Sequence, residues 1–301
     1  MVFSHIINLT VYIGEGRIMI DWQIAELEDT CRRIRGHIVR EIASIGVGHI
    51  GGSLSIVETL VALYYVVMNI DPQNPQLEGR DRFVLSKGHA GPALYAVLAD
   101  RGYFELSMLD TLNKPGTCLP SHCDMILTPG VDMTAGSLGQ GFSCAVGMAL
   151  GGKLKCDRVR IYTAIGDGES QEGQIWEAAM FAAHHKLDNL IAFTDFNNAQ
   201  ISGWVEDING IEPLADKWRA FGFRVIEVRD GNDIRQVLNA IQQAHDTVGK
   251  PTMIILHTVK GRGVSFAEEA GYDNHSMPIT EQLKEQALRE LGLESGGQRN
   301  A

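Results

Sequence analysis

Asp167 stands between two glycines in the run GDG (166–168), and Asn197 opens the amide pair NN (197–198). A carboxylate and an amide oxygen can share a hard cation. Glycines on either side of the carboxylate let backbone N–H groups approach a phosphate closely. Magnesium wants six oxygens, and usually takes a few from protein and the rest from phosphates and water. The two runs therefore read as a magnesium–diphosphate site, provided the chain brings them together. No GxGxxG follows a strand and no GxxxxGK[ST] occurs, so the usual dinucleotide and P-loop sites have no support.

The text between the two runs supplies the positioning. RIYTAI (160–165) runs into GDG, QEGQIWEAAMFAAHHKL reads as a helix, and NLIAFTD (189–195) runs into NN. A right-handed crossover makes such strands parallel and commonly neighbours, roughly 4.8 Å apart. Asp167 and Asn197 then emerge side by side at the carboxyl edge, where open α/β sheets bind ligands. FVLS (83–86), FRVIEV (223–228) and TMIILHTV (252–259) add further strands, with helical stretches between them. The fold class expected is α/β, a doubly wound, mostly parallel sheet with helices on both faces.

Elsewhere the pattern is helical from about 21 to 65, interrupted by the glycine-rich GVGHIGGS (46–53). DPQNPQLEGRDR (71–82) reads as a loop. KGHAGPALYAVLADRGYF is a turn into a helix, and residues 128–154 are a glycine-rich loop opening a small-residue helix. ITEQLKEQALREL (279–291) reads as a last helix. His49, His89 and His122 follow or sit within loops that this arrangement gathers at one edge of the sheet. His257, on a strand, is expected to be structural.

Composition bounds the partners. The 301 residues are 45% apolar, enough for a large core, and the net charge is −11. An acidic chain without basic blocks is a poor candidate for nucleic acid or anionic membrane. Cys31, Cys118, Cys123, Cys144 and Cys156 form no CxxC, and read as reduced thiols in a cytoplasmic protein. The apolar run IVETLVALYYVVMNI (56–70) is too short to span a membrane and contains Glu58, so a buried helix is expected. Residues 1–18 lack the marks of a signal peptide, and an amphipathic helix begins just after Met19. The expected division is a non-native or disordered extension (1–18), one domain (19–292) and a polar tail (293–301).

GDG followed at this distance by NN resembles the cofactor signature of thiamine-diphosphate enzymes. GHIGGSLS (48–55), RDRFVLSKGHAGPALYAVLADRGYF (80–104), PGVDMTAGSLGQGFSCAVGMAL (129–150) and VKGRGVSF (259–266) resemble, in the same order, the N-terminal part of transketolase. The resemblance implies a metal held by Asp167, Asn197 and the carbonyl of Ala199, with magnesium replaceable by manganese or calcium. It places Gly168 and His89 at the diphosphate of thiamine diphosphate, Gly136 and Leu138 at the aminopyrimidine, and Ile201 against the thiazolium. Glu172 falls in a carboxylate network at a subunit interface. His49, His122 and His275 surround the reacting carbon and the donor sugar's hydroxyls, and Lys260 lies near the same channel. Imidazoles suit this work because they titrate near neutral pH. Two settings depart from the family: Ser-His-Cys around His122 where Gly-His-Pro is usual, and Asn-His-Ser around His275 where Trp-His-Gly is usual.

The resemblance covers residues 40 to 290 and stops before the family's pyrimidine-binding and C-terminal domains. The glutamate that protonates the aminopyrimidine belongs to those domains. The expectation is therefore a two-chain transketolase, most simply a heterotetramer, of which this chain is the N-terminal subunit. Pentose phosphates and unusual sugars, sulfonated or branched, are equally compatible substrates. Two alternatives stand beside it. One is the α subunit of a thiamine-diphosphate-dependent 2-oxoacid dehydrogenase, told apart by its substrates. The other is a non-catalytic relic, whose mark would be decay of the metal and phosphate positions.

Overall fold

The computed structural model describes residues 21–293. The expected extension (1–18) and the tail from 294 onward lie outside them. A parallel sheet of five strands forms the centre, β1 (Arg82–Leu85), β2 (Ile161–Gly166), β3 (Leu190–Phe196), β4 (Arg224–Val228) and β5 (Thr252–His257), in the order β1-β2-β3-β5-β4. The five expected strands are all present, each within two residues of its expected limits.

Alternation along the strands covers both faces. Phe83, Leu85, Tyr162, Ala164, Ile191 and Phe193 point into one core, with helices α1 (Asp21–Ala43), α3 (Val57–Ala62), α4 (Gly91–Asp100) and α7 (Ile234–His245). Val84, Ile161, Ile165, Leu190 and Ala192 point into the other, with α5 (Gln140–Leu154) and α6 (Gly173–His184). Successive side chains of a strand face opposite ways, so a sheet buried on both faces reads as continuous apolar runs. Helix α1 buries Ile24, Leu27, Cys31, Ile34, Ile38 and Ile42, a stripe at three- and four-residue spacing.

The glycine-rich interruption is shorter than expected. The loop ends at His49, and α2 (Ile50–Leu54) resumes through Gly51 and Gly52. Glycine is needed there for close approach. A Cβ on Gly51 would lie 1.9 Å from the Asn274 Oδ1, and one on Gly52 2.9 Å from the His89 Nε2. The run 56–70 forms α3 and a π-helical turn (Leu63–Val67). Among the described residues Ile50–Val67 is long and apolar enough to cross a membrane, but 83% of it is buried inside the molecule. The expected C-terminal helix is α8 (Glu281–Glu290), begun by the Thr280 side chain, which accepts from the Leu283 N–H.

Candidate active site

The sheet delivers its chemistry at one edge. Asp167 directly follows β2 and Asn197 directly follows β3, and these strands pair in parallel with Gly166 opposite Asp195. The Asp167 carboxylate accepts from the N–H groups of Gly168 (2.7 Å), Asn197 (2.8 Å) and Asn198 (2.5 Å), and so ties the two strand ends together. Asn198 takes a left-handed conformation (φ 59°), which asparagine tolerates well. The Asn197 Oδ1 accepts from the Ala199 N–H at 3.2 Å. Burial, with Asp195 nearby, pushes the Asp167 carboxyl up to about 6.

Four imidazoles gather next to this turn. His49 lies with its ring centre 5.8 Å from His89, 5.5 Å from His122 and 5.4 Å from His275, and the His89 and His275 rings are 4.7 Å apart. They come from the loop before α2, the turn after β1, the loop before α5 and the segment before α8. Burial lowers the proton affinity of all four. Lys87 adds to the effect at His89, His122 at His49, and Lys260 at His275, which falls to about 4. At neutral pH the cluster is therefore uncharged, and each ring can both donate and accept a proton.

Lys260 joins the two halves. Its ammonium donates to the Ala199 carbonyl at 3.1 Å and also acts electrostatically on His49, His89 and His275. Burial pulls it down to about 8, although Asp167 and Asp195 oppose the shift.

The structure thus gathers His49, His89, His122, His275, Lys260, Asp167, Asn197 and Ala199. Gly168 lies in the same turn, and a Cβ there would come 3.0 Å from the Gln200 Cβ. Gly136 faces the cluster, since a Cβ there would meet only the His122 Cδ2, at 3.9 Å. Leu138, Ile201 and Glu172 lie on the exposed rim instead; Ile201 is 70% exposed at the tip of the hairpin Ala199–Gln200/Gly203–Trp204. His257 packs its ring on Phe196, 5.2 Å away.

Four supporting residues escaped the sequence reading. Glu169, 2% exposed, accepts from the Ser86 hydroxyl (2.5 Å) and the Gly139 (2.9 Å) and Gly166 (3.0 Å) N–H groups, so it clamps the loop before α5 to the GDG turn. Lys87 forms a buried ion pair with Asp195, which also accepts from Ser55 (2.6 Å) and Thr258 (2.5 Å). Asn274 donates to the carbonyls of Lys260 (3.1 Å) and Ala267 (2.7 Å). All four sit inside or beside the quoted motifs, but a charge inside an apolar run shows its value only when its partner is known.

The oxygens at the turn are of the kind the expected cation would take, with the Ala199 carbonyl also accepting from Lys260. One carboxylate, one amide oxygen and one carbonyl make an all-oxygen set for a hard cation. Among the described residues no group of three His, Cys, Asp or Glu could hold a metal, in keeping with a single carboxylate at this turn.

Residues 27–298 match the family model described as transketolase, thiamine diphosphate binding domain. The chain belongs to the transketolase family. It is 56% identical to a protein named as a 6-deoxy-6-sulfo-D-fructose transketolase subunit from Clostridium sp. (strain MSTE9), over 90% of this chain and 98% of that one. A protein of Phocaeicola vulgatus, named as one subunit of an apulose-4-phosphate transketolase, is 39% identical, over 89% and 95%. Among solved structures, the transketolase from Leishmania mexicana superposes with a TM-score of 0.83 at 31% identity, covering 89% of this chain but 41% of that one. The chain therefore matches the subunit-sized relatives nearly end to end and the single-chain enzyme over about two-fifths of its length.

Proposed function

We propose that this chain is the N-terminal subunit of a two-chain transketolase that moves a two-carbon ketol unit from a ketose to an aldose. The observation that carries the reading is the cluster of four imidazoles, linked through Lys260 to the Asp167–Asn197 turn. Asp167, Asn197 and the Ala199 carbonyl would hold Mg2+, or Mn2+ or Ca2+. Gly168 and His89 would face the diphosphate, Gly136 and Leu138 the aminopyrimidine, and Ile201 the thiazolium. Thiamine diphosphate, when bound, supplies the nucleophilic carbon and the electron sink. His49, His122 and His275 would then hold the sugar's hydroxyls and pass their protons, with Lys260 lining the channel. Neutral rings do this in either direction, as successive cleavage and addition require.

The named relatives bear a terminal sulfonate or phosphate on their substrates. We take a ketose with such a terminal oxyanion as the donor, and 6-deoxy-6-sulfo-D-fructose as the first to test. The partner would be a chain carrying the pyrimidine-binding domain and its glutamate, assembled as a heterotetramer. Free thiols suit the reducing cytoplasm.

The test is reconstitution. The tagged chain is used to capture its partner from the native host, and ketol transfer is measured for each chain and for the pair. The expected result is turnover by the pair with sugar phosphates or sulfonates. Either chain alone should be at least about 100-fold slower, the scale of a missing general acid–base group. Full-rate transfer by this chain alone, or turnover of 2-oxoacids by the pair, would overturn the reading.

A further inference from the structure

A second cavity, of about 570 Å³, opens at the same edge of the sheet beyond β4 and β5. Arg229 and Asp230 follow β4, His257 and Thr258 end β5, Gln236 comes from the first turn of α7, and Arg262 from the KGRG turn. Its volume lies within the range of small-molecule sites. We propose that it is an anion site, separate from the imidazole cleft, which takes the phosphate or sulfonate group of a small metabolite.

The distribution of charge points that way. Arg33, Arg35, Arg80, Arg219 and Arg235 are engaged by carboxylates, while some others among the described residues, such as Arg40 and Arg158, are not; what sets Arg229 and Arg262 apart is that they line one cavity. Arg229 has no hydrogen-bonded or ionic partner among the described residues, and the Arg262 guanidinium has only Glu268, 3.9 Å away. That Glu268 oxygen already accepts from the Gly263 N–H at 2.7 Å. Gln236 is committed to the Asp230 N–H and the Asp233 carboxylate, so it shapes the wall and leaves the guanidiniums to bind. The lining thus carries two guanidiniums, Arg229 unpartnered and Arg262 held only at 3.9 Å by Glu268, against one lining carboxylate, Asp230. Their forked donors match a tetrahedral oxyanion, and the volume leaves room for a sugar-sized body behind it. Thr258 shares this wall with the reaction centre, since its hydroxyl donates to Asp195. An occupant would therefore rest against the support of the Lys87–Asp195 pair.

The full chain is titrated with inorganic phosphate and, separately, with fructose 6-phosphate, followed by calorimetry. The expected result is saturable binding that Arg229→Ala and Arg262→Ala each weaken about tenfold or more, the scale of a lost charge-assisted contact. Asp230→Asn should strengthen it, a sign that phosphate at the Gly168 turn would not show. Tighter binding of fructose 6-phosphate would identify a metabolite site, and equal binding a site for the bare anion. These surface variants should keep the wild-type melting temperature, so loss of fold does not confuse the readout. Absence of saturable binding, or binding that survives the double arginine variant, would overturn the proposal.

Discussion

At the level of single residues, the site rests on groups whose ordinary charge has been displaced. Asp167 commits its carboxylate to three backbone N–H groups. Asp167→Asn would turn an NH2 toward at least one of them. We expect this variant to fold but to lose at least about 100-fold in affinity for thiamine diphosphate and Mg2+, near 2.8 kcal/mol, read by fluorescence titration of the cofactor. His275 makes a pH prediction. Its folded proton affinity, about 4, lies below the ordinary imidazole value. The unfolded chain therefore binds its proton first, and this stabilising contribution is complete above about pH 6.5 and is lost as pH falls toward 4. Lys260, His49, Lys87 and His122 face the ring and lower its proton affinity further, and the His89 ring lies 4.7 Å away. Asp167 and Glu169, raised by burial, contribute the opposite slope. The comparison is thus between the wild type and His275→Asn, and the variant should lose less stability between pH 7 and 5 in thermal melts. Equal losses would mean that the ring is not held uncharged. Asp167 and His275 were both legible in the sequence, from flanking glycines and from family resemblance respectively. Their shifted proton affinities were not, because those depend first on burial and then on charged groups that the fold brings in from other segments, Lys260 and Lys87 at His275 and Asp195 at Asp167.

At the level of elements, close approach of backbones decides where the imidazoles stand. Helix α2 carries the residue after His49 and packs on the segment carrying His275, at the point where Gly51 meets the buried Asn274. Gly51→Ala should therefore destabilise the chain by about 1–3 kcal/mol, as overpacking does, and reduce cofactor affinity as well; a urea titration and a cofactor titration check the two halves. The Lys87–Asp195 pair fixes the turn after β1 to the end of β3. Lys87→Met strands a buried carboxylate and should cost about 3–5 kcal/mol, whereas Lys87→Met with Asp195→Leu should recover much of that loss. A double variant as unstable as the single one would show that the carboxylate's bonds to Ser55 and Thr258 matter more than its charge. The strands were legible because both sheet faces are buried and leave continuous apolar runs. Helix α2 was not, because its two glycines look like loop until Asn274 and His89 are seen against them.

At the scale of the whole molecule, the reaction edge has a dry floor and an unfinished roof. Asp167, Lys260 and Asn274 are buried, while Ile201 is 70% exposed and Leu138 38%, with Glu172 also open to solvent. Apolar side chains of this size around a polar cleft are what a partner's pyrimidine-binding domain would cover. The order of the motifs made the gathering of these residues at one edge legible in the sequence. The exposure of its rim was not, since apolar letters in a loop do not say whether they are covered. The rim provides a test that separates folding from assembly. Ile201→Asp and Glu172→Ala remove side chains that touch solvent in this chain, so each should change its stability by no more than about 0.5 kcal/mol. On the proposed assignment, Ile201→Asp would place a carboxylate against the cofactor ring in the reconstituted pair, and Glu172→Ala would remove a carboxylate proposed to lie between the subunits. Titrating each variant with the partner while following ketol transfer should therefore show weaker assembly or lower saturated activity, with the melting temperature of the free chain unchanged. If both variants assemble and turn over like the wild type, the exposed rim is not the surface that the partner completes.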